Sequence, residues 1–205
     1  MNAKDRRLKL YEHDCGLWRE GLVFAGIDEA GRGPLAGSVV TACVVWEPGS
    51  PMIPYIDDSK KLSEDRREKV CEIIMRQAAF VGIGEASAQE IDDINILQAT
   101  KLAMRRAAKG APVELFYIDA VTDVGLFGEE RPVIRGDAVC YAIAAASVVA
   151  KVTRDRQMRA LEETYPAYGF ARHKGYGTAA HMEAIRDNGL CPLHRRSFLK
   201  RFLAQ

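Results

Sequence analysis

Two apolar runs, Leu22 to Asp28 and Ser38 to Trp46, are separated only by a short glycine-rich loop. A parallel crossover needs roughly a dozen residues or more, usually a helix, so this spacing predicts an antiparallel strand pair. Further along the chain, Phe80–Glu85, Val113–Asp119 and Arg131–Arg135 read as strands and are interspersed with helical patterns. Strands first, then alternating strands and helices, predict an α/β chain with a mixed five-stranded sheet flanked by helices. With 205 residues, one domain over 1–205 is the expectation.

The helices carry their own punctuation. Residues 1–20 read as a short helix, and Ser63 followed by Glu64 and Asp65 starts a second. Ser87 and Glu90 have capping-box spacing, with a restart expected near Asn95 and an end at Lys109-Gly110. A long helix is predicted from about Ala138 to Glu163, closed by Tyr165-Pro166, and Thr178 is positioned to cap a helix ending at Gly189. Residues 167–178 read as a glycine- and tyrosine-rich loop. Ser197 opens a final amphipathic stretch carrying Phe198, Leu199, Phe202 and Leu203.

Charge and cysteine usage narrow the setting. Net charge is +1, but Lys151–Gln205 holds eleven Lys/Arg against five Asp/Glu, a surface suited to a polyanion or simply a solvated helical face. The five cysteines (15, 43, 71, 140 and 191) form no C-x-x-C pair, which argues for a reducing compartment and against a disulfide framework or structural zinc. The basic N-terminus has no apolar segment behind it, so no signal peptide is expected. Ala138–Ala150 falls short of the ~20 residues needed to span a bilayer. A cytoplasmic protein without membrane contact is the expectation.

The chemistry concentrates in Gly26-Ile-Asp28-Glu29-Ala-Gly31-Arg32-Gly33-Pro34-Leu-Ala-Gly37. Asp28 and Asp119 each close an apolar strand, and if those strands are parallel neighbours the two carboxylates converge at the usual binding crevice. Asp137 is a third candidate at a loop-to-helix junction. Glu29 is a fourth, provided the chain bends so that it need not point away from Asp28. An isolated Asp in such a place is usually a cap or turn residue. Converging acids, however, raise one another's pKa unless a cation neutralises them. Hard oxygen ligands suit Mg²⁺ or Mn²⁺, and two such ions about 4 Å apart would support in-line displacement on a phosphodiester. The glycines complete neither a P-loop, where Arg32-Gly33 stands in place of Lys-Ser/Thr, nor a dinucleotide-binding fingerprint.

These residues closely resemble the signature of ribonuclease HII, the type 2 ribonuclease H family. Further blocks follow in the family's order: Asp58-Ser-Lys60-Lys-Leu62, Tyr117-Ile-Asp119, Arg135-Gly-Asp137-Ala138 and Ala146-Ser147 through Lys151 to Asp155. His173-Lys-Gly-Tyr176-Gly-Thr178 and His194-Arg195-Arg196-Ser-Phe198 complete the set. The resemblance implies a ribonuclease H-like fold with a helical, substrate-contacting C-terminal extension from about 166 to 205. It implies endonucleolytic cleavage of RNA paired to DNA, and of single ribonucleotides at RNA–DNA junctions in duplex DNA, leaving 5′-phosphate and 3′-hydroxyl ends. That activity would belong to ribonucleotide excision in DNA replication and repair.

By the same resemblance Asp28, Glu29, Asp119 and Asp137 are the catalytic metal ligands. Gly31, Arg32 and Gly33 read the ribose 2′-hydroxyl, and Tyr176 packs on the following sugar. Lys60, Ser147 and Lys151 are phosphate contacts. Ser147 and Lys151, four residues apart, share one helix face. Ser38 stands where the family pattern has proline, and residues 122–132 match no family block. The related ribonuclease HIII has Glu at the fourth acid and an extra N-terminal domain, so Asp137 and the short lead before Asp28 favour HII. A monomer is expected.

His173, His181 and His194 match no zinc spacing and are expected to meet solvent or phosphate, with His181 simply on a helix. The Phe198–Leu203 stripe could dock on a replication clamp, with packing back onto the domain the expected use. A junction-resolving DNA nuclease and a non-catalytic nucleic-acid-binding module remain as competing functions. The first has no need of Gly31-Arg32-Gly33, and the second is opposed by acids that repel a polyanion.

Overall fold

The computed structural model describes residues 2–57, 59 and 62–200. Strands β1 (Ala25–Ala30), β2 (Val39–Val45), β3 (Phe80–Ala86), β4 (Leu115–Asp119) and β5 (Glu129–Val133) form one sheet in the order β3-β2-β1-β4-β5. β1–β2 and β2–β3 are antiparallel, whereas β1–β4 and β4–β5 are parallel. The mixed, helix-flanked sheet read from the sequence is therefore present, with strand bounds shifted by at most three residues. The helices are α1 (Ala3–Arg19), α2 (Glu64–Gln77), α3 (Ala88–Ala108), α4 (Tyr141–Thr164), α5 (Phe170–His173) and α6 (Ala179–Asn188). No helix among the described residues is long and apolar enough to cross a membrane.

Side chains alternate between two cores. Ala42, Val44, Leu115 and Tyr117 pack under α4, while Ala25, Ile27, Cys43, Val45, Phe116 and Ile118 pack towards Met104 and Ala107 of α3. α4 sits unusually close to the sheet. A Cβ built on Gly26 would lie 2.2 Å from the carbonyl carbon of Ala142, so only glycine permits that approach. The alanine-rich start of α4, buried from Tyr141 to Ala150, supplies the matching flat face.

The expected signals at helix ends hold in most places. The Ser87–Glu90 capping box is formed, and Thr178 accepts the His181 N–H. Asn95 breaks α3 with φ +67°, and its side chain then accepts the N–H groups of Leu97 and Gln98, restarting the helix. Ser63 occupies the N-cap of α2 without a side-chain cap bond. The segment 167–178 is less irregular than its composition suggests, because it contains a 3-10 turn (Pro166–Tyr168) and α5. The long helix begins at Tyr141 rather than 138, after a separate 3-10 turn over Gly136–Ala138. In the stretch 122–132, the Glu130 carboxylate accepts the N–H groups of Val124, Gly125 and Leu126, giving the segment a structural anchor.

α4 is capped from outside its own sequence. Cys140 provides no side-chain cap. Instead buried Asp14 of α1 accepts the N–H of Tyr141 at 3.1 Å and of Ala142 at 2.9 Å. A carboxylate there meets both the orphan donors and the positive end of the helix dipole. Asp14→Ala should lower unfolding free energy by about 2–3 kcal/mol, and Asp14→Asn by less, in urea titrations. An unchanged midpoint in Asp14→Ala would rule out this cap as a source of stability.

Candidate active site

The parallel pairing of β1 with β4 sets Ile27 beside Ile118. The next residue on each strand is an aspartate, and strict alternation turns both Asp28 and Asp119 to the α4 face. The β1–β4 ladder stops at Ile27, while β1 continues against β2 as far as Ala30. Asp28 and Glu29 are thus inside β1, beyond its last β4 partner, rather than at its end. That open edge lets both acids border the same cavity without a break in the strand.

The cavity has a volume of about 340 Å³ and is lined by Asp28, Glu29, Gly31, Arg32, Gly33, Asp119, Ser147, Lys151 and Tyr176, together with Ala30, Ser59 and Arg154. Of the residues singled out in the sequence, all but two meet there. Asp137 lies in the Gly136–Ala138 turn and is not part of the lining. That turn is nevertheless tied to the acids, because the Gly136 N–H donates to the Asp119 carboxylate at 2.6 Å. Lys60 lies outside the described residues.

Asp28 is only 5% exposed. Burial, and then the charges of Glu29 and Asp119, push its carboxyl well above the usual range, against hydrogen bonds from Ser147 and the Glu29 N–H. A carboxylate raised in this way by neighbouring oxygen ligands fits a hard divalent cation, which would remove the repulsion. A different grouping, His13, Asp14 and Cys140, also brings ligand-type atoms within 4.8 Å of one another. There the carboxylate is committed to the α4 cap, and burial followed by the Asp14 charge pushes the Cys140 thiol well up. It is a structural junction at an electropositive helix end, unsuited to a cation.

The opposite wall is built by α4. Ser147 meets Asp28 on one side and the Ser59 hydroxyl, at 3.0 Å, on the other. Lys151 pairs with Asp155 at 2.7 Å, one helical turn on. Arg67 donates to the carbonyls of Ser59 and Leu62, each at 2.9 Å. Above the glycine loop stands Tyr176, 46% exposed, with its ring edge 3.9 Å from where a Gly33 Cβ would be. Gly31 has φ +95°, and a Cβ there would lie 2.1 Å from Arg154 Nε.

Two residues of this framework stand in the matching blocks without an expected role. Arg154 and Arg195 are buried beneath the glycine loop and donate to its carbonyls. Arg154 lies seven residues after Ser147, on the same α4 face, which is the pattern that could have marked it. Two of the histidines correct an expectation more directly. His181 and His194 are buried away from solvent, and half-buried His173 stacks on His181 at 4.3 Å.

Their donors fix one arrangement of ring protons. The Gly175 N–H donates to His173 Nδ1, so His173 Nε2 donates to the Tyr168 carbonyl. The Cys191 N–H donates to His194 Nδ1, so His194 Nε2 donates to His181 Nε2 at 3.1 Å. His181 Nδ1 then donates to the carbonyl of Tyr176. This chain of bonds ties the Tyr176 loop to the segment preceding Arg195.

The family model described as Ribonuclease HII matches residues 25–201. A Ribonuclease HII of Caldanaerobacter subterraneus subsp. tengcongensis is 47% identical over 96% of this chain and 81% of its own length. One from Shewanella sp. (strain ANA-3) is 49% identical, covering 92% and 93%. Among solved structures, ribonuclease H2 from Pyrococcus horikoshii OT3 superposes with TM-score 0.73 at 24% identity, over 90% of this chain and all of that one. Ribonuclease HII from Archaeoglobus fulgidus, solved in complex with PCNA, gives TM-score 0.73 at 25% identity, covering 86% and 94%.

Burial lowers the His181 imidazole to about 4 from an ordinary 6.5 and lowers His194 as well. Below pH 6.5 the unfolded chain takes up protons that the folded chain refuses. Stability is therefore complete above that value and falls as pH drops towards 4, by up to about 1.4 kcal/mol per pH unit for each imidazole. Urea midpoints measured from pH 7 to 4.5 should show this slope, and His181→Gln should flatten it. An equal slope in His181→Gln would assign the loss to other groups.

Proposed function

The chain belongs to the ribonuclease HII family, and from that premise we propose that it cuts at single ribonucleotides embedded in duplex DNA as well as along RNA/DNA hybrids. The activity class itself is that of the family, a metal-dependent endoribonuclease of the ribonuclease H type. The observation that carries the finer reading is the meeting, in one cavity, of side-by-side Asp28 and Asp119 with the Gly31-Arg32-Gly33 loop and Tyr176.

In this reading Asp28, Glu29, Asp119 and Asp137 hold two divalent ions, Mg²⁺ or Mn²⁺, with Asp137 brought in from the turn that Gly136 anchors on Asp119. The ions supply activation of the attacking water and charge stabilisation at the leaving oxygen, giving 5′-phosphate and 3′-hydroxyl ends. The protein's own residues do the selecting. Glycine lets the backbone of the 31–33 loop come close to a sugar, and the 2′-hydroxyl is what separates RNA from DNA at one nucleotide. The Tyr176 face packs on the next sugar. Ser147 and Lys151 meet backbone phosphate, Lys151 by sharing its charge between phosphate and Asp155. Lys60 is assigned the same role.

Residues from about 166 onward then form a substrate-contacting extension, carrying Tyr176 and the basic surface. The PCNA complex of the archaeal relative makes a clamp contact worth testing in this chain. Leu199, however, is buried and Phe198 packs against the Val39–Ala103 cluster, which supports packing back for the described part of the stripe. Phe202 and Leu203 lie outside the described residues.

The test is cleavage-site mapping on a duplex with one ribonucleotide beside an all-DNA control, in Mg²⁺ and in Mn²⁺. Cutting confined to the ribonucleotide-bearing strand is expected, and equal cutting of the control would end the ribose-reading assignment. Chelation should abolish cleavage and added Mg²⁺ restore it. Asp28→Asn and Asp119→Asn should each reduce the cleavage rate at least about a thousandfold while binding in Ca²⁺ survives. Near-normal cutting by either variant removes that acid from the metal set.

A further inference from the structure

Arg195 is completely buried, and every N–H of its guanidinium meets a backbone carbonyl. Nε donates to Gly37 at 2.9 Å, Nη1 to Arg32 and Pro34 at 3.0 and 2.9 Å, and Nη2 to Gly31 and Gly37 at 2.7 Å each. A guanidinium has five N–H donors in a rigid plane, so the fork is saturated. The Arg195 backbone N–H takes the Leu35 carbonyl, and buried Arg154 takes those of Ala36 and Ser38. Gly31, Arg32 and the run from Pro34 to Ser38 thus all turn their carbonyls towards this pair of arginines.

The chemistry of that arrangement is costly. Two cations are buried near each other, and burial pulls both guanidiniums below their ordinary pKa, with Arg154 adding to the effect on Arg195. A loop of this length could be closed by turns alone. What the clamp adds is orientation. In a trans peptide the C=O and N–H point in opposite directions, and the described backbone contains no cis bond. Drawing the carbonyls of Gly31 and Arg32 onto Arg195 turns the N–H groups of Arg32 and Gly33 the other way. Both residues line the cavity. Successive amides presented together form an acceptor-binding concavity.

We propose that Arg195 is the positioning residue for ribose selection: it sets the peptide planes of Gly31–Arg32 and Arg32–Gly33 so that their N–H groups meet the substrate 2′-hydroxyl. The inference rests on the reading of this loop as the ribose reader. Arg195 itself never touches substrate. Lysine cannot replace it, because a point charge with three donors does not span four carbonyls. Asp92 steadies the clamp from the surface by accepting the Arg196 and Ser197 N–H groups and the Ser197 hydroxyl.

The experiment compares affinities of the full chain, in Ca²⁺, for a duplex with one ribonucleotide and for the same duplex in DNA. In Arg195→Lys the preference for the ribonucleotide should shrink at least about tenfold, equal to 1.4 kcal/mol, with all-DNA affinity nearly unchanged. Asp92→Ala should move the preference the same way by a smaller factor, and it decides the matter if Arg195→Lys does not fold. A merely structural role would weaken both duplexes together, in step with the melting temperature, and would overturn the proposal. So would a folded Arg195→Lys, or failing that Asp92→Ala, that keeps the full preference. An unaltered chain with no preference would instead overturn the reading of the loop itself.

Discussion

The parallel register of β1 against β4 is the constraint on which the rest of the site depends. It places two carboxylates on neighbouring strands, on one face, at the spacing of strands in a sheet. Unit charges about 5 Å apart repel by roughly 3 kcal/mol at an effective dielectric constant near 20. The fold accepts that repulsion and surrounds it with rigid parts. Gly26 lets α4 press on β1, Asp14 holds the start of α4, and Ser147 reaches from α4 to Asp28. Loosening any of these would let the acids drift apart.

The cavity joins two walls held by different means. The acidic wall is fixed by the sheet, whose geometry comes from hydrogen-bonded ladders and two apolar cores. The glycine wall has no ladder along Gly31–Pro34 and is held by guanidiniums reaching up from below. One wall concentrates negative charge beside solvent, and the other keeps positive charge beneath backbone. A polyanion approaching with its counter-cations would meet complementary surfaces on both sides.

Much of this was legible in the residues because the signals were local. The short Glu29–Gly37 connection implied the antiparallel β1–β2 pair, and the apolar runs ending in Asp28 and Asp119 implied convergence. Ser87 with Glu90, Asn95 and Thr178 announced helix ends that the structure contains. What escaped was non-local. The cap on α4 comes from Asp14, 127 residues before Tyr141, and no pattern around Cys140 points to it. The histidines carry ordinary polar expectations until Phe170, Tyr168 and one another enclose them. Arg195 stands in a matching block without an expected role, because the four acceptors of its guanidinium are carbonyls, which look alike in every sequence.

The clamp also has a consequence for how the protein comes into being. Arg195 lies 158 residues beyond Gly37 and 164 beyond Gly31. At the usual pace of ~5–20 residues per second, the ribosome finishes the glycine loop on the order of ten seconds before it adds the arginine that shapes it. Throughout that interval the acids and glycines already exist in a chain surrounded by RNA. Until residue 195 is added, the carbonyls of that loop lack the guanidinium that meets them in the structure. A half-built chain carries the glycine loop without the clamp beneath it.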